Sequence, residues 1–136
     1  MSNQNIALYL FEELWNNRNK TIIDQIFAED FEAFTPSVPG QVVADLEGFK
    51  SGVDLVFKTF PQMRFLVDDV ISENNKIVVR WHGEGKQEQS FFGQPSDDEN
   101  QSEVTYAGLL ILVIENKQIK KAWLMDNSFE LAESCH

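Results

Sequence analysis

The chain reads as an α+β domain, with helices first and antiparallel strands after, on three observations. Three helical patterns occupy much of the first 60 residues, alternating strand patterns fill the rest, and turn residues sit between the later strands. The stretch from Val104 to Asn127 anchors this reading. Leu109 to Ile114 is an unbroken apolar run, as expected of a strand buried on both faces. Glu115-Asn116-Lys117 supplies turn chemistry, because Asn tolerates positive φ. The return strand alternates: Ile119, Lys121, Trp123, Met125 and Asn127 share one parity, and Lys120, Ala122, Leu124 and Asp126 the other.

A first helix is expected over residues 5–18. Ile6, Leu10 and Leu14, with Tyr9, Phe11 and Trp15, recur at helical spacing, and an Asn is expected to take the left-handed cap after Asn16. Thr21 is the expected N-cap of a short second helix that buries Ile22, Ile23, Ile26 and Phe27. An extended piece, Phe31 to Thr35, precedes a Pro- and Gly-containing loop, Pro36 to Asp45. The third helix runs from about Leu46 to Phe60, with Phe49, Val53, Val56, Phe57 and Phe60 on one face, and Pro61 stops it. Strands are expected from Phe65 to Ser72 and from Lys76 to about Gln87, joined by a turn at Asn74-Asn75. In the second of these, Ile77, Val79, Trp81, Gly83 and Gly85 share a face, opposite Val78, Arg80, His82 and Glu84. The two glycines imply a bend or a close approach. Residues 90–103 are expected to form an acidic loop, with Phe91 and Phe92 near its start capping a pocket. Phe129 to His136 is expected to add one helical turn.

The length, 136 residues, fits one domain spanning 1–136. Eleven Phe, 3 Trp and 2 Tyr are a generous aromatic load, enough to line a pocket as well as a core. A net charge of −11 argues against nucleic acid and against an anionic membrane surface. The start lacks a basic n-region, no apolar run approaches a membrane span, and a single cysteine, Cys135, precludes an internal disulfide. A cytoplasmic protein is therefore expected.

Asp126 shares its face with Ala122 and Leu124. A carboxylate among apolar neighbours has its charged form disfavoured, which is how general acid–base chemistry near neutral pH is tuned. The competing reading is a strand-end Asp capping the final segment. Arg80 is read as a structural ion-pair partner or as a guanidinium for a substrate oxyanion. His82 is a structural histidine or a partner of Asp126. Tyr106 is a hydrogen-bond donor to a ligand carbonyl or a surface phenol. Trp15, Phe57 and Trp123 are cavity or core aromatics. Two histidines, one terminal, offer no metal spacing, and no Ser-His or Cys-His setting supports a nucleophile.

Several stretches resemble the SnoaL-like polyketide cyclase family of the nuclear transport factor 2-like superfamily. They are LYLFEELWNNRN, IIDQIFAEDF, GFKSGVDLVFKTFPQMRFLVDDVISENNKIVVRWHGEG, FFGQP and QIKKAWLMD. The resemblance spans about Ile6 to Phe129. It implies a cone-shaped (cystatin-like) fold, three N-terminal helices on a curved, mostly antiparallel sheet enclosing a pocket. It also implies homodimers through the sheet, no metal or cofactor, and ring closure by intramolecular aldol condensation with a cavity carboxylate as the base. Asp126 is the match to that carboxylate. Many relatives carry the acid one position later, where Asn127 stands, and adjacent strand residues face opposite ways, so Asp126 and Trp123 cannot both face the cavity without a bulge between them. The histidine of the family's Gly-x-His is replaced at Gly85-Lys86-Gln87. The resulting expectation is a cofactor-independent enzyme for a small apolar carbonyl compound. Asp126 and His82 would be catalytic, with Arg80, Tyr106, Trp15, Trp123, Asn127 and Phe57 at the ligand. The alternatives are a non-catalytic binder of an apolar molecule and a dimeric interaction module.

Overall fold

The computed structural model describes residues 1–86 and 103–128. Helix α1 (Asn3–Tyr9) starts under the Ser2 hydroxyl, which accepts the Asn5 N–H at 3.1 Å. It continues as a π-helical segment, Leu10–Asn16, in which the Asn17 N–H reaches back five residues to the Glu12 carbonyl at 3.0 Å. The single α-helix expected over 5–18 is corrected accordingly. The wider winding gathers Leu10, Phe11 and Leu14, all buried, and Trp15 onto a narrower inward face than an α-helix would.

Arg18, not an Asn, takes the left-handed position after this helix, with φ 57°. Its guanidinium explains the choice. It donates to the carbonyls of Phe60 at 2.7 Å and Phe57 at 3.4 Å and lies 4.5 Å from the Phe57 ring centre. A cation thereby satisfies the open carbonyls at the end of the third helix. Asn19, not Thr21, caps the next turn, its Oδ1 accepting the Thr21 N–H at 3.3 Å. A 3₁₀ turn, Lys20–Ile22, runs into the one-turn helix α2 (Ile23–Ile26).

Strand β1 (Phe27–Phe34) begins four residues before the extended piece expected from Phe31. Its burial does not alternate, because the pairing is irregular between Phe27 and Glu32, and that hid the strand from a period-two reading. After the loop, Ala44 returns to pair with Ala33. Helix α3 (Leu46–Thr59) is capped by Asp45, whose Oδ1 accepts the Gly48 N–H at 2.9 Å.

Four strands follow in a meander: β2 (Arg64–Glu73), β3 (Lys76–Lys86), β4 (Glu103–Glu115) and β5 (Gln118–Asp126). The sheet order is β1-β5-β4-β3-β2, antiparallel except for the parallel pairing of β1 with β5. Asn116 and Lys117 both have positive φ, 51° and 61°, which suits the twist of the β4–β5 hairpin. Gly83 lies under Met63; a Cβ there would collide with the thioether, so the close approach expected of this glycine is present. Asn16 fastens the helical layer to the sheet edge: its Oδ1 accepts the Phe65 N–H at 2.7 Å and its Nδ2 donates to the Phe65 carbonyl at 2.9 Å.

The helices cover one face of the sheet. Ile77 and Val79 of β3, and Leu110, Leu112 and Ile114 of β4, are buried beneath them. Ile119 is buried on this face as well, against its expected parity with Trp123. The pairings Ile114 with Ile119 and Val113 with Lys121 leave Lys120 as an extra residue. This bulge turns Ala122, Leu124 and Asp126 inward and Trp123 outward. On the outer face the apolar run is covered at Val113, half-buried at Ile111 and open at Leu109, which is 40% exposed.

Candidate functional site

Between the helices and the sheet lies a cavity of about 280 Å³. Phe11 and Trp15 come from the π-helical segment, Phe49 and Val53 from α3. Phe65, Trp81, Tyr106, Leu110 and Leu124 form the sheet wall, and Asp126 stands at the rim. The walls are almost wholly apolar. Trp81 packs edge-on against Tyr106, with ring centres 4.9 Å apart, and Phe60 stacks on Tyr106 at 4.9 Å.

The polar element of the cavity is a pair. Asp126 lies opposite Gly108, so Tyr106 is its diagonal neighbour on β4. The Tyr106 hydroxyl donates to Asp126 Oδ2 at 2.6 Å. The other oxygen, Oδ1, accepts the Ser128 N–H at 3.0 Å and the Ser128 hydroxyl at 2.6 Å. One oxygen of Asp126 thus caps the turn after the strand, and the other meets a phenol at the cavity. The expectation of a carboxylate shut away from water is corrected, since Asp126 closes β5 and is exposed. Tyr106 is the buried partner, 5% exposed. Burial, then the charge of Asp126, then the hydrogen bond to it push the phenol well above its ordinary 10.0. It therefore stays a protonated donor through neutral pH.

Trp15 lines the cavity. Phe57 stands behind it, edge-on at 5.9 Å, under the Arg18 guanidinium. Trp123 is on the opposite face of the sheet, stacked on Phe34 with ring centres 5.0 Å apart. Asn127, expected at the ligand, has its amide bonded to β4 backbone: Oδ1 accepts the Ala107 N–H and Nδ2 donates to the Thr105 carbonyl, both at 3.0 Å.

His82 and Arg80 also lie on the outer face, so the pairing of either with Asp126 is corrected. His82 Nδ1 is 2.7 Å from Asp68 and Nε2 is 3.2 Å from Glu84, while Arg80 Nε and Nη2 donate to Asp69 at 2.9 and 2.5 Å. Asp68 is the extra residue of a second bulge, between Val67 and Asp69, which turns it toward the imidazole. The hydrogen bond to Asp68, then that to Glu84, raise the His82 pKa above 6.5. The folded protein thus holds this proton more tightly than the unfolded chain. Its stabilising contribution is complete below pH 6.5 and is lost as pH rises through the higher folded value. In urea unfolding at pH 6 and pH 8.5, His82→Gln should remove that part of the pH dependence, a surface effect of about 1 kcal/mol or less. An unchanged difference between the two pH values would refute the ion pair.

Trp81 and Ser128 are site residues that sequence reasoning did not nominate. Trp81 shares parity with the buried Ile77 and Val79, a signal that was available. Ser128 follows Asp126 at the two-residue spacing of a side-chain turn. Phe91, Phe92 and Cys135 lie outside the described residues. Among the described residues, no group of three His, Cys, Asp or Glu is placed to hold a metal, and no helix is long and apolar enough to cross a membrane.

The fold has relatives of known structure. A SnoaL-like polyketide cyclase candidate from Jannaschia sp. CCS1 superposes with a TM-score of 0.82 at 19% identity, over 98% of this chain and 90% of that one. A SnoaL-like polyketide cyclase from Agrobacterium tumefaciens gives 0.76 at 15% identity, over 100% and 99%. AclR, a candidate hydroxylase from Streptomyces galilaeus, gives 0.79 at 16% identity, over 95% and 81%. At these identities the likeness establishes the α+β, nuclear transport factor 2-like fold, and the different names on it show that the fold does not select one chemistry. No curated protein matches the chain. The sequence profile of SnoaL-like polyketide cyclases matches residues 5–134, nearly the whole chain. With the helices and the sheet in agreement, the chain belongs to the SnoaL-like polyketide cyclase family.

Proposed function

We propose that this protein is a cyclase- or isomerase-like enzyme that moves a proton next to the carbonyl of a small, largely apolar compound. No cofactor is needed for that chemistry. The observation that carries the reading is the 2.6 Å hydrogen bond from Tyr106 to Asp126 at the rim of an apolar cavity. Asp126 Oδ2 takes the α-proton, and the C–H electron pair moves into an enolate. Tyr106 turns its hydrogen bond from Asp126 to the enolate oxygen as charge develops there. In the cyclase version the enolate carbon then bonds to a second carbonyl of the same molecule, and the alkoxide formed recovers the proton from Asp126. Apolar walls keep water from the enolate and leave two polar groups to orient the substrate.

The test is deuterium exchange at the α-carbon of a panel of β-keto esters and diketides, followed by NMR, with product analysis for ring closure. Exchange that is equal with wild type and Asp126→Asn would remove the enzyme reading. A second reading, a non-catalytic binder, is supported by the two Ser128 donors on Oδ1, which give Asp126 a structural task. Saturable binding of the same compounds without any exchange would favour it.

The outer face supports a homodimer. Leu109 is 40% and Ile71 62% exposed there, between the charges that Arg80 and His82 share with Asp69 and Asp68. Leu109→Glu is expected to shift sedimentation from dimer to monomer; a wild type that already sediments as a monomer removes this part.

A further inference from the structure

The ladder of β5 ends at Asp126, and strand ends open more readily than strand centres. The residue after it holds the end closed. The Asn127 N–H donates to the Ala107 carbonyl at 3.2 Å. Its Oδ1 accepts the Ala107 N–H at 3.0 Å and its Nδ2 donates to the Thr105 carbonyl at 3.0 Å. The amide orientation follows from its partners, since an N–H only donates and a carbonyl only accepts. The side chain therefore grips the peptide groups on both sides of Tyr106, while Asp126 holds the hydroxyl of the same tyrosine.

We infer that Asn127 is a positioning residue: it locks the β4 backbone around Tyr106 so that the phenol and the Asp126 carboxylate meet across the strands. A hydrogen bond of 2.6 Å tolerates little displacement, and about 1 Å of slip between β5 and β4 would undo it. Asn127 does this without touching a ligand, because both halves of its amide are engaged. The consequence for turnover rests on the proposed function; the clamp itself does not.

The experiment reads Tyr106 directly. The chain has 2 tyrosines, so labelling with ¹³Cζ-tyrosine gives two resonances, and Tyr106→Phe assigns them. Asn127→Ala, and Asn127→Ser as the milder variant, should shift the Tyr106 resonance. They should also make its phenol more acidic, back toward its ordinary value, as Asp126 swings away and water enters. Ile77→Val, a buried change further along β3, should lower stability without moving that resonance. A Tyr106 titration unchanged in both Asn127 variants, with stability reduced as in Ile77→Val, would overturn the clamp and leave Asn127 a purely structural tie. With a substrate in hand, the Asn127 variants should lower kcat at least tenfold and leave KM within about twofold. If Asp126→Asn leaves exchange intact, the enzyme reading fails, and the tyrosine titration still decides the clamp.

Discussion

Asp126→Asn is expected to lower α-proton exchange by a factor of about 10² to 10⁴, the usual worth of one positioned general base. The substitution is close to isosteric. The amide oxygen can still accept from Ser128, so the turn after β5 persists, and the change isolates proton transfer from folding. It also removes the negative charge beside Tyr106, so the phenol should ionise at a lower pH than in the wild type, while burial, the larger cause, keeps it above the ordinary 10.0. Binding of a neutral apolar compound should change less than twofold, because the walls are hydrocarbon and ring faces. A loss confined to KM, with kcat preserved, would contradict the role given to Asp126. Tyr106→Phe separates the two partners. It should keep the base but lose the donor, with a smaller fall than Asp126→Asn.

The legibility of the chain tracks how local each signal is. Helix α3 and the β4–β5 turn are marked by residues adjacent in sequence: Pro61 as stop, Asn116 at positive φ. Those were readable. The π-helical winding of Leu10–Asn16 was not, because Ile6, Leu10 and Leu14 fit an α-helical stripe equally well, and the winding matters only once Phe11 and Trp15 must share a cavity. The first half of strand β1, before Phe31, escaped because its pairing partner, β5, lies about 90 residues away and its burial does not alternate.

The site repeats the pattern. Asp126 and Tyr106 could each be nominated from residue type and parity, but their meeting depends on the register that sets Gly108 opposite Asp126. The choice between Trp123 and Asp126 as the inward residue needed the Lys120 bulge, which a strict alternation cannot reveal. His82 and Arg80 were placed on the correct side of their own strand, opposite Trp81. What the sequence lacked was the relation of that side to Asp126.

Phe60→Ala is the change expected to cost most in stability. Phe60 is fully buried, stacks on Tyr106 with planes 22° apart, and ends α3 where its carbonyl receives Arg18 at 2.7 Å. Truncating such a ring removes its transfer free energy and leaves a void, together about 3 to 5 kcal/mol. Against a typical total of about 5 to 15 kcal/mol, that is a large share. In urea unfolding the midpoint should fall with the slope unchanged, since the surface exposed on unfolding is nearly the same. The Arg18 bond should survive, because it is made to the backbone carbonyl. The effect is also chemical. Phe60 is one of the rings that seal Tyr106 from water, and burial is the first cause of the raised phenol pKa. In Phe60→Ala the phenol should therefore titrate nearer its ordinary value, and α-proton exchange should weaken although no group that touches substrate has changed. Phe60→Leu refills most of the volume without restoring the stacked face, so it should recover most of the stability and less of the phenol shift. A loss below about 1.5 kcal/mol in Phe60→Ala, with Tyr106 unmoved, would mean that α3 collapses onto the gap, and that the ring fills space without shaping the site.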